Sequence, residues 1–159
     1  MPSTFSPIIG AQGFQQSNPS VLDIASLLGS LQVFKEVGMM LPLRERSLRL
    51  TTDLETKLEL SKHYVPLEEV VAVADRRPGF TIITPKDPNS RGAQLSLLFL
   101  PQGCTVTTKV FDGLFSYGVI GDKREPDVIR LTPAPLYSTD EDVSRAVLYL
   151  EKVLDSLVT

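Results

Sequence analysis

The chain has 159 residues, of which 42% are hydrophobic and 22% charged, and its formal net charge at pH 7 is -3. This composition excludes general disorder and lacks the basic footprint of a nucleic-acid-binding protein, while the length suffices for one core without disulfides or metal. No apolar run approaches the roughly 18 residues of a membrane-spanning helix, and the N-terminus does not resemble a signal peptide. We therefore expect a soluble, cytoplasmic domain without nucleic-acid or membrane partners.

The first 19 residues contain three prolines and no regular period, which predicts an ordered or semi-ordered arm. Ser20 is a plausible helix N-cap, and Asp23 three residues later gives a pattern like a capping box. Apolar residues then recur every three or four positions and predict an amphipathic helix over residues 20–38. The predicted stripe is Val21, Ile24, Ala25, Leu28, Leu31, Phe34 and Gly38, widened by Leu27.

A second helix is predicted to begin near Pro42 and to end near His63, before Pro66. Its apolar stripe is Leu43, Leu50, Leu54 and Leu58. Its charged residues are interpreted as a solvated face with some i,i+4 pairing, and they are Arg44, Glu45, Arg46, Arg49, Glu55, Lys57 and Glu59.

Two strands are predicted after a surface connection over residues 64–79. The first covers residues 80–84. The second covers residues 93–100 and is apolar nearly throughout, which is typical of a sheet that is covered on both faces.

A third helix is predicted to begin after a possible cap at Thr105 and to stop at Gly118. Short strands are expected at residues 119–121 and 127–132, separated by a charged turn over residues 122–126.

The last helix is predicted to begin at Thr139, with Asp142 three residues later as its capping partner. The order of elements predicts an α+β (α/β two-layer) fold in which helices cover a small, mostly antiparallel sheet. The apolar stripe of this helix is Val143, Ala146, Val147, Leu150, Val153, Leu154 and Leu157.

The residues that usually carry chemistry are scarce. The single histidine, His63, is interpreted as a surface residue that suits a helix C-terminus. The single cysteine, Cys104, is interpreted as a passive turn residue, because no histidine lies near it in sequence. No metal-ligand spacing and no phosphate-loop, dinucleotide or nucleophile-elbow motif is present, so we expect no metal site and no catalytic residue in this chain.

Ser17 and Asn18 precede Pro19 and the predicted start of a helix. Hydroxyl and amide donors beside the positive end of a helix dipole suit an anionic group such as phosphate. The alternative is a structural turn that caps the helix.

Arg130 interrupts an apolar strand sequence over residues 127–132. A buried guanidinium requires a carboxylate or phosphate partner, and its fork suits a substrate carboxylate. A strand position on the solvent face, or an internal ion pair, explains the same residue equally well.

Three segments together resemble the kynureninase family. Residues 118–137 resemble its C-terminal signature, with a glycine-valine entry, an acidic-basic turn, R-x-P, an I-R strand and P-x-P-L-Y. Residues 13–19 are similar to its G-F-x-x-S-N-P motif, and residues 91–96 to its R-G-x-Q-L segment. The motifs occur in family order and cover residues 9–159, with weak similarity over residues 60–80.

The resemblance implies a homodimeric pyridoxal-phosphate (PLP) enzyme that hydrolyses the Cβ–Cγ bond of L-kynurenine or L-3-hydroxykynurenine. The products are (3-hydroxy)anthranilate and L-alanine, in tryptophan catabolism and NAD biosynthesis. In this reading Arg130 binds the substrate α-carboxylate, and Ser17 and Asn18 line the pocket across the dimer interface. Asn18 also lies close to the cofactor phosphate. Tyr137 is expected to be structural.

The resemblance also implies an incomplete enzyme. The chain has no tryptophan, and none of its lysines matches the family's Schiff-base motif. We expect residues 1–19 to be an arm from the active-site region and residues 20–159 to be the C-terminal small domain, inactive alone. The alternatives are a truncated, non-catalytic module that self-associates or docks on an intact subunit, and the small domain of a cysteine desulfurase.

Overall fold

A computed structural model describes residues 4–73, 77–103 and 105–158. The chain divides into two compact units, the first ending at Met40 and the second beginning at Leu41. The predicted order of main helices and strands is confirmed, and so is the α+β class. Within the described ranges no single helix is both long and apolar enough to cross a membrane, although the first two helices pass that test when they are taken together.

The first unit consists of a 3₁₀ turn, Ala11–Phe14, and a helix α1, Val21–Glu36. The predicted cap is confirmed, because the Ser20 side chain accepts a hydrogen bond from the backbone N–H of Asp23. None of the side chains of α1 is buried. Its exposed apolar side chains extend beyond the predicted stripe to Leu22 and Val33, so the helix is apolar on more than one side.

The second helix, α2 (Met40–Glu59), begins at the boundary of the units and is followed by a 3₁₀ turn (Leu67–Glu69) and a single-turn helix α3 (Val70–Val73). An antiparallel sheet of order β1-β2-β4-β3 forms the second unit together with two further helices. These elements are β1 (Gly79–Ile82), β2 (Leu95–Leu100), α4 (Val106–Ser116), β3 (Asp122–Arg124), β4 (Val128–Leu131) and α5 (Asp140–Val158).

The core lies between one face of the sheet and the apolar stripes of α2, α4 and α5. The predicted stripe of α2 is confirmed, since all four of its leucines are buried. The sheet contributes Phe80, Ile82, Leu95, Leu97, Phe99, Ile129 and Leu131, and α4 and α5 contribute Val110, Leu114, Val143, Val147, Leu150, Val153 and Leu154.

The register of the sheet decides which side chains point away from this core. Arg130 lies opposite Ser96 of β2 on one side and opposite Asp122 of β3 on the other. Directly paired residues share a face, and successive residues alternate between faces. Because Ile129 and Leu131 face the core, Arg130, Ser96 and Asp122 lie on the opposite face.

Three predictions about the strands and α2 are wrong. The strand predicted at residues 119–121 lies instead at Asp122–Arg124, where a charged turn was expected, because a solvent-facing edge strand accepts charged residues. Burial alternates only from Leu95 to Leu98 of β2, so the sheet is covered on both faces only at its β1 end, where Leu100 and all four residues of β1 are buried. The helix α2 ends at Glu59, four residues before the predicted end.

The predicted ends of the later helices are mostly confirmed. Thr139 and Asp142 form a reciprocal capping box, in which the Asp142 carboxylate accepts from the Thr139 N–H at 2.8 Å and Thr139 Oγ1 accepts from the Asp142 N–H at 3.2 Å. Gly118 has φ 78°, which suits the residue that ends α4. Thr105 occupies the N-cap position of α4, but its side chain makes no capping hydrogen bond.

One residue of the predicted solvated face of α2 is instead in a buried ion pair. Glu55 accepts hydrogen bonds from both terminal nitrogens of Arg91, at 2.6 Å and 2.5 Å. The side chain of Arg91 is 3% exposed and that of Glu55 is 14% exposed. Arg91 also donates to the carbonyl of Pro85, so this pair joins the connection between β1 and β2 to α2.

We predict that Arg91→Ala lowers the free energy of unfolding by about 3 kcal/mol, because it leaves Glu55 charged and poorly solvated. Urea denaturation of the chain measures this change. Arg145→Ala is the matched control, since it removes the exposed i,i+4 pair with Glu141 and should cost less than about 0.5 kcal/mol. Equal effects of the two substitutions would show that the Arg91–Glu55 pair does not stabilise the fold.

Candidate functional site

Arg130 lies at the centre of a small charged cluster on the face of the sheet that points away from the core. We call this face, which carries Arg130, Ser96 and Asp122, the open face. Its Nη2 donates a hydrogen bond to Asp122 Oδ2 on the neighbouring edge strand. The same carboxylate oxygen accepts from Nε and Nη2 of Arg124, at 3.1 Å and 2.9 Å. Two guanidinium groups therefore share one carboxylate, which leaves the cluster with one net positive charge.

The hydrogen bond from Arg130 is the main cause of a lowered pKa at Asp122, and Arg124 lowers that pKa further. Asp122 is consequently a carboxylate at neutral pH. Both alternatives to a ligand-binding role for Arg130, the face away from the core and the internal ion pair, are thus realised in the structure.

The Asp122 contact uses only part of the Arg130 guanidinium. Its side chain is 31% exposed. Its Nε is buried and has no hydrogen-bond partner among the described residues. Nη1 likewise makes no hydrogen bond within the described part of the chain. A guanidinium with unused donors on an open face is able to bind a carboxylate through charge-assisted hydrogen bonds.

Polar side chains continue across the sheet from Arg130. Ser96 faces it in register from β2, and Gln94 donates to Ser96 Oγ at 3.2 Å. The predicted R-G-x-Q-L segment therefore brings its glutamine and serine to the same side of the sheet as the arginine, while Arg91 of that segment is the buried ion-pair residue described above.

Asp127 is a buried carboxylate whose structural role the sequence interpretation missed. Its Oδ2 accepts from the Gly103 N–H at 2.8 Å, and its Oδ1 accepts from Thr107 Oγ1 at 3.1 Å. Its backbone carbonyl accepts from the Phe99 N–H. Asp127 thus joins the start of β4 to the segment that enters α4 and to β2. The sequence feature that could have indicated this role is the position of a carboxylate directly before an apolar strand.

Ser17 and Asn18 lie in the first unit and are exposed. Gln15 Nε2 donates to the carbonyl of Ser17 at 2.7 Å, which orders the turn. The cap of α1 is Ser20, and the carboxylate of Asp23 already lies in the first turn, where it interacts favourably with the helix dipole. Arg130 belongs to the second unit, and the predicted grouping of Ser17, Asn18 and Arg130 stays a prediction.

The interpretation of His63 as a surface residue is wrong. Its side chain is 8% exposed, and its Nε2 contacts Asp155 Oδ1 of α5 at 2.7 Å. Its Nδ1 contacts the carbonyl of Pro78 at 3.2 Å. His63 therefore connects the segment after α2 to the C-terminal helix and to the start of β1, in a structural position.

Cys104, interpreted above as a passive turn residue, lies outside the described residues. Among the residues that are described, no group of three or more His, Cys, Asp and Glu side chains could hold a metal ion.

The interpretation of Tyr137 as a packing residue is not supported within this chain, because it is 78% exposed. It lines a cleft of about 690 Å³ beside the end of α4 and the first half of α5. The rings of Tyr117 and Tyr149 stack in the wall of this cleft with centroids 4.6 Å apart. Leu131, which faces the core, also lines the cleft. The cleft therefore lies on the core side of the sheet and is separate from the Arg130 cluster.

The family model described as "Kynureninase C-terminal domain" matches residues 43–150, which is more than half of the chain. The match includes Arg130, Asp122 and the Arg91 segment.

Individual kynureninases match nearly the whole chain. The kynureninase of Yarrowia lipolytica is 51% identical over 144 residues, which are 90% of this chain and 32% of the relative. The kynureninase of Eremothecium gossypii is 47% identical over 161 residues, covering 99% of this chain and 35% of the relative. That of Saccharomyces cerevisiae is 44% identical over 160 residues, with the same two coverages. The chain therefore spans about a third of the length of these relatives.

We predict that Asp155→Asn destabilises the chain at neutral pH but not in strong acid. Lys62 first, and His63 second, lower the pKa of Asp155 from its ordinary value of 3.8. A lowered folded-state pKa gives stability that is present above the unfolded-state pKa and is lost as the pH falls through the folded-state pKa. Thermal midpoints should therefore differ between wild type and variant at pH 7 and converge as the pH falls through the lowered folded-state pKa of Asp155.

Glu141→Gln is the control for this experiment, because it removes the same charge from an exposed site on α5. An Asp155→Asn deficit that is the same at pH 7 and in strong acid would contradict the electrostatic explanation.

Proposed function

The chain belongs to the kynureninase family, and we propose that it is the C-terminal part of an enzyme that hydrolyses L-kynurenine or L-3-hydroxykynurenine to (3-hydroxy)anthranilate and L-alanine. The observation that carries this proposal is Arg130, which lies inside the matched region and holds unused donors on the open face of the sheet. In the proposed enzyme Arg130 binds the α-carboxylate of the substrate.

Ser17 and Asn18 are proposed as further substrate-binding residues, with Asn18 close to the cofactor phosphate. Their exposed side chains in an ordered turn support this role, since neither is used as the cap of α1. Following the resemblance, we propose a homodimer in which residues 1–19 are an arm from the active-site region and residues 20–159 are the small domain. We also propose, from the same resemblance, that the enzyme is located in the cytoplasm.

The lysines of this chain do not fit the attachment of PLP. Such a lysine must be withdrawn from water and from carboxylates so that its amine can react. Lys57, Lys62, Lys86 and Lys123 all pair with acidic side chains. Lys35 and Lys109 are exposed, and the Lys152 amine lies 5.4 Å from the centre of the Tyr149 ring. We therefore propose that the remaining part of the enzyme holds PLP.

The alternative of a non-catalytic module is not favoured, because proteins named kynureninase match 90% or more of this chain. The exposed apolar side chains of α1 do not distinguish the two, since a helix that packs against the rest of an enzyme would leave the same surface. The cysteine desulfurase alternative has no support from the family match.

We predict that the chain completes a kynureninase when it replaces the homologous third of the Yarrowia lipolytica enzyme. With PLP added, the fusion should release fluorescent anthranilate from L-kynurenine. The chain alone and the truncated Yarrowia enzyme alone should not, because each lacks residues of the site. A folded, PLP-binding fusion without turnover would contradict the proposed function, and turnover by the isolated chain would contradict the assignment of PLP attachment to the missing part.

We also predict that Arg130→Lys in this fusion raises KM for L-kynurenine at least about tenfold while kcat changes less. A lysine keeps the positive charge but loses the planar group in which Nη2 pairs with Asp122 while Nη1 is left to donate to the substrate carboxylate. Arg145→Lys on the exposed surface of α5 is the matched control. An unchanged KM in Arg130→Lys would refute the carboxylate-binding role.

A further inference from the structure

Asp122 and Arg130 are directly opposite each other across the β3–β4 pair, so their side chains emerge side by side on the open face. The Asp122 carboxylate accepts from Nη2 of Arg130, and Arg124 donates to that same carboxylate oxygen. A side chain as long as arginine has many rotamers in water, and this contact restricts them.

The remaining donors of Arg130 differ in accessibility. Nε is buried without a hydrogen-bond partner among the described residues, so a ligand cannot approach through it. Nη1 makes no hydrogen bond within the described ranges and, unlike Nε, is not a fully buried atom without a partner, in a side chain that is 31% exposed. An incoming carboxylate therefore reaches the guanidinium at its Nη end, beside Asp122.

We propose that Asp122 is a positioning residue for Arg130: it holds the guanidinium through Nη2 and so directs Nη1 toward the carboxylate of the substrate. This inference rests on the proposed function, in which Arg130 binds that carboxylate. Asp122 itself carries the same charge as the substrate group, so its contribution is geometric and not attractive.

A purely structural role for Asp122 is a weaker explanation of the contact. The β3–β4 pair is already held by three residue pairs in register. Lys123, on the opposite face of β3, donates to Thr108 Oγ1 of α4 at 2.8 Å and thus joins this strand to the helical layer. Half-exposed ion pairs contribute little to stability, and Asp122 is 46% exposed.

The two roles predict opposite signs for carboxylate binding. Removing Asp122 raises the net charge of the cluster from one positive charge to two. Electrostatics alone would then strengthen the binding of an anion. If Asp122 positions Arg130, its removal weakens carboxylate binding despite the more favourable charge.

The first experiment uses the chain alone with sodium acetate as the probe. Sodium acetate is titrated into the chain while the side-chain ¹⁵N–¹H signals of Arg130 are followed. These signals are assigned by their loss in Arg130→Lys. A titration with sodium chloride at equal ionic strength is the reference. We expect Asp122→Ala to raise the acetate Kd about tenfold. Asp122→Asn keeps an oxygen that accepts from Nη2 and should give an intermediate value. Lys123→Arg perturbs the same strand on the other face without changing the charge and should leave the Kd unchanged.

The second experiment places the same variants in the Yarrowia fusion. Asp122→Ala should raise KM for L-kynurenine about tenfold with kcat within about twofold of wild type, and Asp122→Asn should recover part of the loss. A merely structural role would lower the thermal midpoint and leave KM in the folded fraction unchanged or lower than in wild type.

The outcomes separate the inference from the proposed function. Tighter or unchanged acetate binding in Asp122→Ala overturns the positioning role, whether or not the fusion is active. Weaker acetate binding together with an inactive wild-type fusion supports the positioning role and contradicts the proposed function. An active fusion whose KM is the same in Asp122→Ala overturns the positioning role and leaves the proposed function standing.

Discussion

The alternation of side chains along β4 is the constraint on which the rest of the structure depends. Ile129 and Leu131 are buried in the core, and Arg130 between them must point the other way. A shift of one residue in register would bury the guanidinium among leucines and expose two core residues, which is strongly unfavourable. Hydrophobic burial by α2, α4 and α5 therefore fixes the face on which Arg130 lies without any contact to the arginine itself.

Pairs of polar side chains then place the segments that the core does not reach. Arg91 and Glu55 join the β1–β2 connection to α2, and His63 and Asp155 join the segment after α2 to the C-terminal helix. These pairs link residues 36 and 92 positions apart in the chain, respectively. An ion pair with Asp122 likewise holds Arg130 on the open face, but it leaves hydrogen-bond donors of the guanidinium unused.

Elements with a strong local signal could be predicted from the sequence. The leucine stripe of α2 and the Thr139–Asp142 capping box needed only residues within a few positions of each other. The strand β3 was not predictable in the same way, because Asp122–Arg124 has the composition of a turn and becomes a strand through pairing with β4. Glu55 and His63 were misjudged for a related reason, since their partners are distant in sequence.

By itself, the sequence determined the order and type of the main elements, the α+β class and the singling out of Arg130 as a charge within an apolar strand. Three short motifs also determined the resemblance to kynureninases, because each is a continuous segment that can be compared with the family residue by residue. Only the tertiary structure decided that Arg130 is held by Asp122, that Glu55 pairs with Arg91, that His63 is buried, and which donors of Arg130 are unused. The physical reason is that burial and ion pairing depend on which strands become neighbours, and strand neighbours are chosen by the packing of the whole core.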